Sequence, residues 1–325
     1  MKQTIRDRVE RITRMLLYPL PRHLRRNQIK VNDIGMDAIR NSLKENYYTG
    51  RRSESTYTKE MYEKDLNIHV YRRIENQRIR VVPWLDNARP LKESRVLEIG
   101  CGTASSTVAL AEQGAMVTAI DVDEGALRVA QDRCKVYGLE VQLKMLNATE
   151  INNVFRNSQF DFIIFFACIE HMTIRERLKA LQSAWDMLSV GGLLVIVETP
   201  NRLWYFDNHT SLLPFFHWLP DDLALEYLRF SPRENFSQLH SECNAASQES
   251  FSRWGRGVSF HEIDVAIKPV SQLQVISSLS TFLGLPYKLR LSKLERRYKS
   301  ILRNTYPGIH EGFFDRSLDL IIKKG

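Results

Sequence analysis

Residues 96–104 read VLEIGCGTA, a short apolar run that leads into two glycines, Gly100 and Gly102. Glycine lets the backbone turn sharply at these positions and lets a ligand approach the chain closely. A helical pattern follows from Ser105, so the backbone N–H groups at the start of that helix point toward a bound group. The stretch predicts a strand, a ligand-binding turn and a helix, although the G-x-G pattern alone has low specificity.

Two carboxylates beside this turn indicate the kind of ligand. Glu98 lies two residues before the first glycine, where its negative charge would repel a pyrophosphate. The dinucleotide-binding pattern G-x-G-x-x-G is also incomplete, because Ser105 occupies the third glycine position. Asp121 ends the next predicted strand about twenty residues further on, where a carboxylate can accept hydrogen bonds from both ribose hydroxyls. These residues favour an adenine nucleoside whose other end is a cationic sulfonium amino acid rather than a phosphate.

Short apolar runs alternate with helical patterns between residues 95 and 199. The runs cover 95–100, 115–121, 141–146, 160–167 and 191–199, and the helical patterns cover 105–113, 124–137 and 174–188. Nearly continuous apolar strands separated by helices predict an α/β fold with a doubly wound, mostly parallel sheet that is covered on both faces. Elsewhere the patterns predict a helix over 58–87 broken near Pro83, a strand-like piece at 258–267, a basic helix around 288–303 and a last strand at 316–323.

In order and spacing these segments resemble the class I S-adenosylmethionine-dependent methyltransferases. The resemblance covers residues 95–201 and is carried by VLEIGCGTA (96–104), VTAIDVDEGAL (117–127), LNATEI (146–151) and FDFIIFFACIEHM (160–172). It implies a seven-stranded Rossmann-like sheet with N-terminal helices and a lid or substrate insertion after the fifth strand. It also implies S-adenosyl-L-methionine as cofactor and methyl transfer as the reaction.

The resemblance assigns the cofactor-binding residues one by one. The methionine end of the cofactor is assigned to Glu98, Gly100 and Gly102, and Cys101 and Thr103 lie on the same loop. Asp121 is assigned to the ribose, and Val122 to packing on adenine. Asn147 and Ala148 are assigned to the adenine amino edge, and Phe166 and Ala167 to the position under the sulfonium. The sequence departs from the family at one position, because the usual third glycine of the loop is Ala104.

The stretch IEHM (169–172) is similar to the ubiquinone-type O-methyltransferases. Some of those enzymes pair an upstream acid with this Glu–His to hold a divalent metal. Here Ala167 stands where that acid would be, and one carboxylate with one imidazole is a small ligand set. We therefore expect no metal, and interpret Glu170 as a helix cap and His171 as a core or pocket-lining residue.

The segment TPNRLWYFDNHTSLLPFFHWLPDD (199–222) leaves the fifth strand at its carboxyl end, where ligands bind in doubly wound folds. Asp207 and His209 are two residues apart and point the same way in an extended strand. We interpret His209 as a general base that Asp207 orients. The alternative is that DNH (207–209) is only a polar turn. His217 is expected to pack among aromatic residues.

A second catalytic candidate lies at GRGVSFHEID (255–264), where His261 is followed by Glu262. Arg253 or Arg256 could bind an anionic group of the substrate there. The alternative reading is an exposed strand end without a catalytic role.

We expect a basic N-terminal helical extension over residues 1–57 and a methyltransferase domain over 58–325. Within the domain, the cofactor-binding core spans 90–200, an acceptor and lid insertion spans 200–310, and the last strand spans 316–323. The leading hypothesis is O-methylation of a small-molecule, glycan or lipid-linked acceptor.

Two other functions are weighed against this hypothesis. The net charge of +8 permits an RNA or other nucleic-acid methyltransferase. We do not expect nucleic acid as the partner, because FFACIEHM (165–172) lacks the Asn/Asp-Pro-Pro-aromatic set used on base nitrogens and no RNA-binding module is recognisable. A non-catalytic S-adenosylmethionine-binding protein is the third possibility, which the complete set of cofactor motifs disfavours.

The composition is that of an ordinary globular protein, with 43% hydrophobic and 26% charged residues in a chain of 325. The four cysteines form no CxxC pair, which indicates free thiols in a reducing compartment and favours a cytoplasmic protein. No apolar run reaches the roughly 20 residues that span a bilayer. The basic N-terminus carries apolar residues at helical spacing from Ile5 to Leu17, so this helix either packs on its own domain or makes peripheral contact with the inner membrane face.

Overall fold

The computed structural model describes residues 22–49, 58–156, 158–233, 250–284 and 291–325. The apolar positions of the N-terminus, for which we considered membrane contact, lie outside these ranges. The chain divides into two compact units, residues 1–147 with 160–162 (unit 1) and residues 148–159 with 163–325 (unit 2). Among the described helices, none is long and apolar enough to cross a membrane.

Unit 1 begins with helices and continues with alternating strands and helices. Its elements are α1 (Arg22–Arg26), α2 (Asp33–Ser42), α3 (Lys59–Asn67), α4 (Arg73–Asn76), α5 (Val82–Ala88), β1 (Arg95–Ile99), α6 (Ser105–Ala111), β2 (Met116–Asp121), α7 (Glu124–Val136) and β3 (Gln142–Met145). Strand β1 runs parallel to β2, and β2 runs parallel to β3. The parallel pairing is what strands separated by helices predict, because each crossover returns the chain to the same end of the sheet.

Helix α7 begins and packs as its sequence dictates. The side chain of Asp123 accepts a hydrogen bond from the backbone N–H of Ala126 at 3.0 Å and so caps the helix. On α2, the hydroxyl of Ser42 donates to Asp132 at 2.6 Å, which ties the two helices together. The buried face of α7 repeats at helical spacing and consists of Ala126, Val129, Ala130, Arg133 and Cys134.

The helical stretch over residues 59–88 continues through Pro83, so the predicted break near this proline is wrong. Two π-helical turns, Ile68–Arg72 and Gln77–Val81, link α3, α4 and α5. The N–H of Val82 donates to the carbonyl of Gln77, five residues back. Val82 and Pro83 follow this wider turn and begin α5, and proline is tolerated in the first turn of a helix.

Unit 2 contains the remaining elements, and β4 begins in unit 1. They are α8 (Ile151–Val154), β4 (Phe160–Phe166), α9 (Ile174–Met187), β5 (Leu188–Pro200), α10 (Asp221–Tyr227), α11 (Phe260–Ala266), β6 (Gln274–Ser278), α12 (Leu279–Leu283), α13 (Lys293–Thr305) and β7 (Ser317–Lys323). The strands form one seven-stranded sheet in the order β3-β2-β1-β4-β5-β7-β6. Strand β7 is antiparallel to both β5 and β6. The predicted seven-stranded α/β fold is confirmed.

The strand-like piece predicted at residues 258–267 is wrong, since most of it forms α11. Phe260 and Ile263 are buried and lie three residues apart, the spacing of one helical face. Glu262 is also buried because it pairs with Arg177, and Val265 is 73% exposed. The apparent alternation of apolar and polar residues therefore came from a helix with a narrow buried face.

The segment after β5 has a small core of its own, which we call the insertion core. Its buried members are Leu213, Phe216, Ala224, Leu225, Leu228 and Phe251, with the partly buried Leu219, Tyr227 and Trp254 packed against them. Burial of this apolar surface explains the aromatic residues Phe216 and Phe251 as packing.

Candidate functional site

The turn after β1 has the backbone that its glycines predict. Gly100, Gly102 and Ala104 have φ values of 83°, 51° and 62°. A Cβ added at Gly102 would meet no atom within 4 Å, so the left-handed backbone rather than packing requires glycine there. Ala104 occupies the same region at a steric cost that glycine would avoid. The departure from the family at this position is therefore a substitution that keeps the conformation.

Glu98 is fully buried at the end of β1 and holds the start of α6. Its carboxylate accepts hydrogen bonds from the hydroxyl of Ser106 and, at 2.6 Å, from that of Thr107. Burial raises the pKa of Glu98 to about 7, against the two hydroxyls, which lower it. The residue predicted to line the methionine end of the cofactor thus also fixes the helix that follows the turn.

Asp121 links two loops at the end of β2. One carboxylate oxygen accepts from the N–H of Gly102 at 2.7 Å, and the other accepts from the N–H of Asp123 at 3.0 Å. Asp121, which is predicted to bind the ribose, therefore also holds the glycine turn. Val122, the next residue, leaves its side chain 67% exposed at the same end of the strand.

The remaining predicted cofactor residues of unit 1 lie on or near these loops. Cys101 and Thr103 are buried, and burial raises the pKa of the Cys101 thiol. Asn147 is exposed after β3. The structure therefore brings Glu98, Gly100, Cys101, Gly102, Thr103 and Asp121 into one connected turn region within unit 1.

In unit 2, the predicted residues Phe166 and Ala167 end β4. Phe166 is buried, and Ala167 has φ 45°, an uncommon value for a residue other than glycine. The N–H of Ala167 donates to the carbonyl of Val197 at 2.9 Å, which fixes the strained turn against β5. Ala148 is buried in a short 3-10 turn at Ala148–Glu150.

Arg133 is a residue that the sequence reasoning missed. It is fully buried on α7, where its Nε donates to the carbonyl of Thr103 at 2.7 Å and its Nη2 to the carbonyl of His69 at 2.9 Å. Burial lowers its pKa to about 10. The sequence offered one signal, since an arginine stands within the otherwise apolar face of α7. The guanidinium therefore fixes the backbone of the glycine turn through its hydrogen bond to the carbonyl of Thr103.

Three titratable side chains of unit 2 meet after β4, and we call Glu170, His171 and His209 the Glu–His–His cluster. One ligand atom from each lies within 4.8 Å of the other two. The Nε2 of His171 is 3.9 Å from a carboxylate oxygen of Glu170, and the two imidazole rings are 5.4 Å apart. His209 lies far from Glu170 and His171 in the chain, so the sequence does not predict that the three side chains are close together.

Burial shifts the pKa of every member of the Glu–His–His cluster toward its neutral form. The pKa of Glu170, which is fully buried, is raised to about 8. The pKa of His209 is lowered to about 4 by burial and by His171, and that of His171 is lowered as well. Both imidazoles are therefore neutral at neutral pH, and Glu170 is mostly protonated in the absence of a cation.

The predicted pairing of Asp207 with the His209 imidazole is wrong. The Asp207 carboxylate instead accepts from the backbone N–H groups of His209 at 2.9 Å and Thr210 at 2.8 Å, and from the hydroxyl of Ser211 at 2.8 Å. It also lies 3.5 Å from the ring of the buried His217. Asp207 is thus the centre of a turn, the polar-turn alternative, and it positions His209 through the backbone. Such local bonding is typical of Asp in turns.

The second catalytic candidate is spread over separate contacts. His261 is exposed and stacks on Phe260 at 4.0 Å between ring centroids. Arg253 makes two hydrogen bonds to Glu176, at 2.8 and 3.0 Å, and Arg256 pairs with Asp221. Both arginines proposed for an anionic substrate thus have protein partners, and the predicted catalytic role of His261 stays a prediction.

Arg177 is a second residue that the sequence reasoning missed. It is buried on α9 and donates to the carbonyls of Glu170 and Gly257, at 2.8 and 2.9 Å. It also pairs with Glu262 at 3.2 Å. Arg177 therefore fixes the backbone on which Glu170 and His171 stand.

Comparisons with known proteins point to one family. Residues 96–192 match the family described as "Methyltransferase domain". A ubiquinone biosynthesis O-methyltransferase from Pseudomonas entomophila is 31% identical over 121 residues, which cover 37% of this chain and 50% of that protein. The protein of the same description from Ruegeria pomeroyi is 33% identical over 118 residues, which cover 36% of this chain and 46% of the relative. The chain thus spans about half the length of the curated relatives it matches.

Solved structures with similarity to the chain include further methyltransferases. A SAM-dependent methyltransferase from Methanosarcina mazei is 28% identical, with a TM-score of 0.34 and coverage of 37% of this chain and 58% of the other. Magnesium protoporphyrin IX methyltransferase from Synechocystis, with bound SAH, is 20% identical, with a TM-score of 0.36 and coverage of 53% and 70%.

Proposed function

We propose that this chain, whose residues 96–192 form a class I S-adenosylmethionine-dependent methyltransferase domain, transfers the methyl group of S-adenosylmethionine to a hydroxyl oxygen of its acceptor. The matched domain and the named relatives support the predicted methyltransferase family and, with it, S-adenosylmethionine as the cofactor. The relatives described as O-methyltransferases support a small-molecule acceptor. Glycan and lipid-linked acceptors stay predictions.

The cofactor is proposed to bind at the turn after β1. The backbone at Gly100 and Gly102 is left-handed, and the space beside Gly102 is open to a ligand. Asp121 still has lone pairs for the ribose hydroxyls, and the exposed Val122 offers an apolar face to adenine. These contacts, with Glu98, Cys101, Thr103 and Asn147, form the proposed cofactor set of unit 1. The cofactor roles of Ala148, Phe166 and Ala167 stay predictions.

The observation that favours an oxygen acceptor is the Glu–His–His cluster. In the reaction, a lone pair of the acceptor oxygen forms the new C–O bond while the C–S bond of the sulfonium breaks and the cofactor leaves as a thioether. The hydroxyl proton must pass to a base. The neutral Nε2 of His209 is the proposed proton acceptor, and the insertion at 200–310, which carries His209, is proposed to form the acceptor site.

A transfer assay with S-adenosylmethionine labelled in its methyl group tests this function. The purified chain is incubated with fractions of small-molecule, glycan and lipid extracts, and labelled products are separated. We expect the label in a product that withstands mild alkali, because methyl ethers survive it and methyl esters do not. Label linked to nitrogen or released by alkali would contradict transfer to a hydroxyl, and label in RNA would favour the nucleic-acid alternative.

The variant Gly102→Ala tests the cofactor-binding turn, with Gly138→Ala as its control. Both glycines have a left-handed φ, 51° and 63°, and open space around an added Cβ. Each variant is expected to lose about 1 kcal/mol of stability through backbone strain. Only Gly102→Ala is expected to weaken S-adenosylmethionine binding, by about tenfold or more in a calorimetric titration. Equal affinities of the two variants would place the cofactor elsewhere.

A further inference from the structure

The ring nitrogens of the Glu–His–His cluster have fixed roles. The Nδ1 of His171 lies 2.9 Å from the carbonyl oxygen of Arg253. A carbonyl only accepts, so Nδ1 carries the proton and donates it. The Nε2 of this neutral ring therefore presents a lone pair, on the side that faces Glu170.

His209 has the same tautomer for a similar reason. Its Nδ1 lies 3.2 Å from the hydroxyl oxygen of Thr210, and that hydroxyl donates its one hydrogen to the carbonyl of Trp254 at 2.7 Å. The Thr210 oxygen can then only accept from the ring, so Nδ1 of His209 is protonated and its Nε2 lone pair is free. Metal-binding histidines are held in this way, with the second nitrogen bonded to a carbonyl or hydroxyl.

Glu170 completes the set with a carboxylate oxygen that lacks a donor. The side chain is fully buried, and the hydroxyl of Thr199 lies 3.3 Å from Oε2. Its Oε1 is buried without a hydrogen-bond partner among the described residues. A buried oxygen of this kind costs free energy unless a proton or a cation neutralises it. A ring nitrogen of each imidazole lies within 4.8 Å of the Glu170 carboxylate, which favours a cation.

The backbone is shaped to let the two rings meet. Gly255 has φ 78°, and a Cβ added there would lie 2.8 Å from the ring of His209 and 3.1 Å from that of His171. Glycine therefore leaves room for both imidazoles. The carbonyl of the neighbouring Arg253 holds His171, and Arg177 holds the backbone of Glu170.

We propose that Glu170, His171 and His209 bind a divalent transition-metal cation, with Zn²⁺ the best match. Two imidazoles and one carboxylate are a common Zn²⁺ ligand set that leaves a coordination position open. Ligand atoms that share one ion at bonds of about 2.0–2.2 Å lie roughly 3–3.5 Å apart, so binding draws the three together by about 1 Å. This proposal replaces the expectation of no metal. That expectation was based only on residues close to Glu170 in the sequence.

The proposal changes the role of His209, because a ligand nitrogen has no lone pair left to act as a base. A bound divalent cation would lower the pKa of a coordinated acceptor hydroxyl, which would then release its proton to solvent water instead of to His209. Metal binding nevertheless stands on the geometry of the Glu–His–His cluster and not on the methyl-transfer proposal. The two can therefore fail separately.

Titration of the chelator-treated full chain with Zn²⁺, in competition with a coloured zinc indicator, tests the site. We expect one Zn²⁺ per chain, and visible absorption bands of a low-symmetry site when Co²⁺ replaces it. The variants His209→Gln and Glu170→Gln are each expected to weaken Zn²⁺ binding by at least about tenfold. His23→Gln is the control, because the side chain of His23 is 63% exposed and lies in unit 1.

A second pair of variants keeps the test valid if His209→Gln fails to fold. Thr210→Val removes the hydroxyl that fixes the tautomer of His209 and is expected to weaken Zn²⁺ binding by about tenfold. Thr210→Ser keeps the hydroxyl and is expected to bind as the wild type does. Absence of stoichiometric Zn²⁺ binding, Mg²⁺ competing equally with Zn²⁺, or unchanged affinity in His209→Gln would each overturn the proposal.

Discussion

At the scale of single residues, the positions next to the two glycines carry both structural and chemical tasks. Glu98 holds Ser106 and Thr107, and Asp121 holds the N–H of Gly102. Their sequence positions predicted a ligand site, because carboxylates at strand ends face the ligand edge of such sheets. The hydrogen bonds that orient them arise only when neighbouring turns fold together.

The pKa of Glu98 gives a pH-dependent prediction. Its value rises from 4.5 to about 7 on folding because the carboxyl is buried. The native state then binds the proton more tightly than the unfolded chain does, so the contribution of Glu98 to stability is present below about pH 4.5 and is lost as pH rises through 7. Urea unfolding at pH 5 and pH 7.5 should show the wild type losing stability relative to Glu98→Gln at the higher pH.

The variant Glu124→Gln serves as the control for this pH dependence, since Glu124 is an exposed carboxylate on the neighbouring α7. Its difference from the wild type should stay constant over the same range. A parallel pH dependence in wild type and Glu98→Gln would mean that the Glu98 carboxyl titrates at its ordinary pKa.

At the scale of elements, local patterns predicted most of the strands and helices of the sheet. The runs at β1, β2, β4 and β5 were recognised because they are nearly continuous and apolar. The sequence of α11 predicts a strand instead of a helix, because the buried face of this helix is narrow. That face includes Glu262, whose burial depends on its ion pair with Arg177 from α9. The sequence of α11 alone does not predict that Glu262 pairs with Arg177.

The packing of α7 gives the prediction at this scale. A Cβ on Gly125 would lie 2.2 Å from the backbone carbonyl oxygen of Asn46, so the start of α7 sits directly against the π-helical turn Leu43–Tyr47 that continues α2. We expect Gly125→Ala to lower the free energy of unfolding by about 1–3 kcal/mol through this clash. Urea unfolding measures the change. Glu124→Ala, at the exposed preceding position, should change stability by less than about 0.5 kcal/mol. Equal effects would show that the two segments are not in contact.

At the scale of the whole molecule, the seven strands follow the predicted family while unit 2 carries additional structure. The insertion core accounts for Phe216, Tyr227, Phe251 and Trp254 as packing residues.

Removal of one aromatic side chain tests the insertion core. Phe251 is fully buried and contacts Phe216 and Trp254, with ring centroids 5.8 and 5.2 Å away. We expect Phe251→Ala to cost about 3–5 kcal/mol and to speed amide hydrogen exchange over residues 213–228. Phe230→Ala, at a position 68% exposed, is the control and should change neither. Unaltered exchange in Phe251→Ala would mean that these residues do not form one cooperative core.

The sequence by itself determined three features. These are the strand–turn–helix at residues 95–111, the position of the carboxylates 98 and 121 beside that turn, and the methyltransferase fold. These features depend on local periodicity and on the special backbone of glycine, and both are written in consecutive residues. Only the tertiary structure decided that His209 meets Glu170 and His171, that Asp207 serves a turn, and that Arg133 holds the loop from within the core. Such contacts join residues far apart in the chain, and their energy comes from burial and hydrogen bonds that exist only after the elements pack.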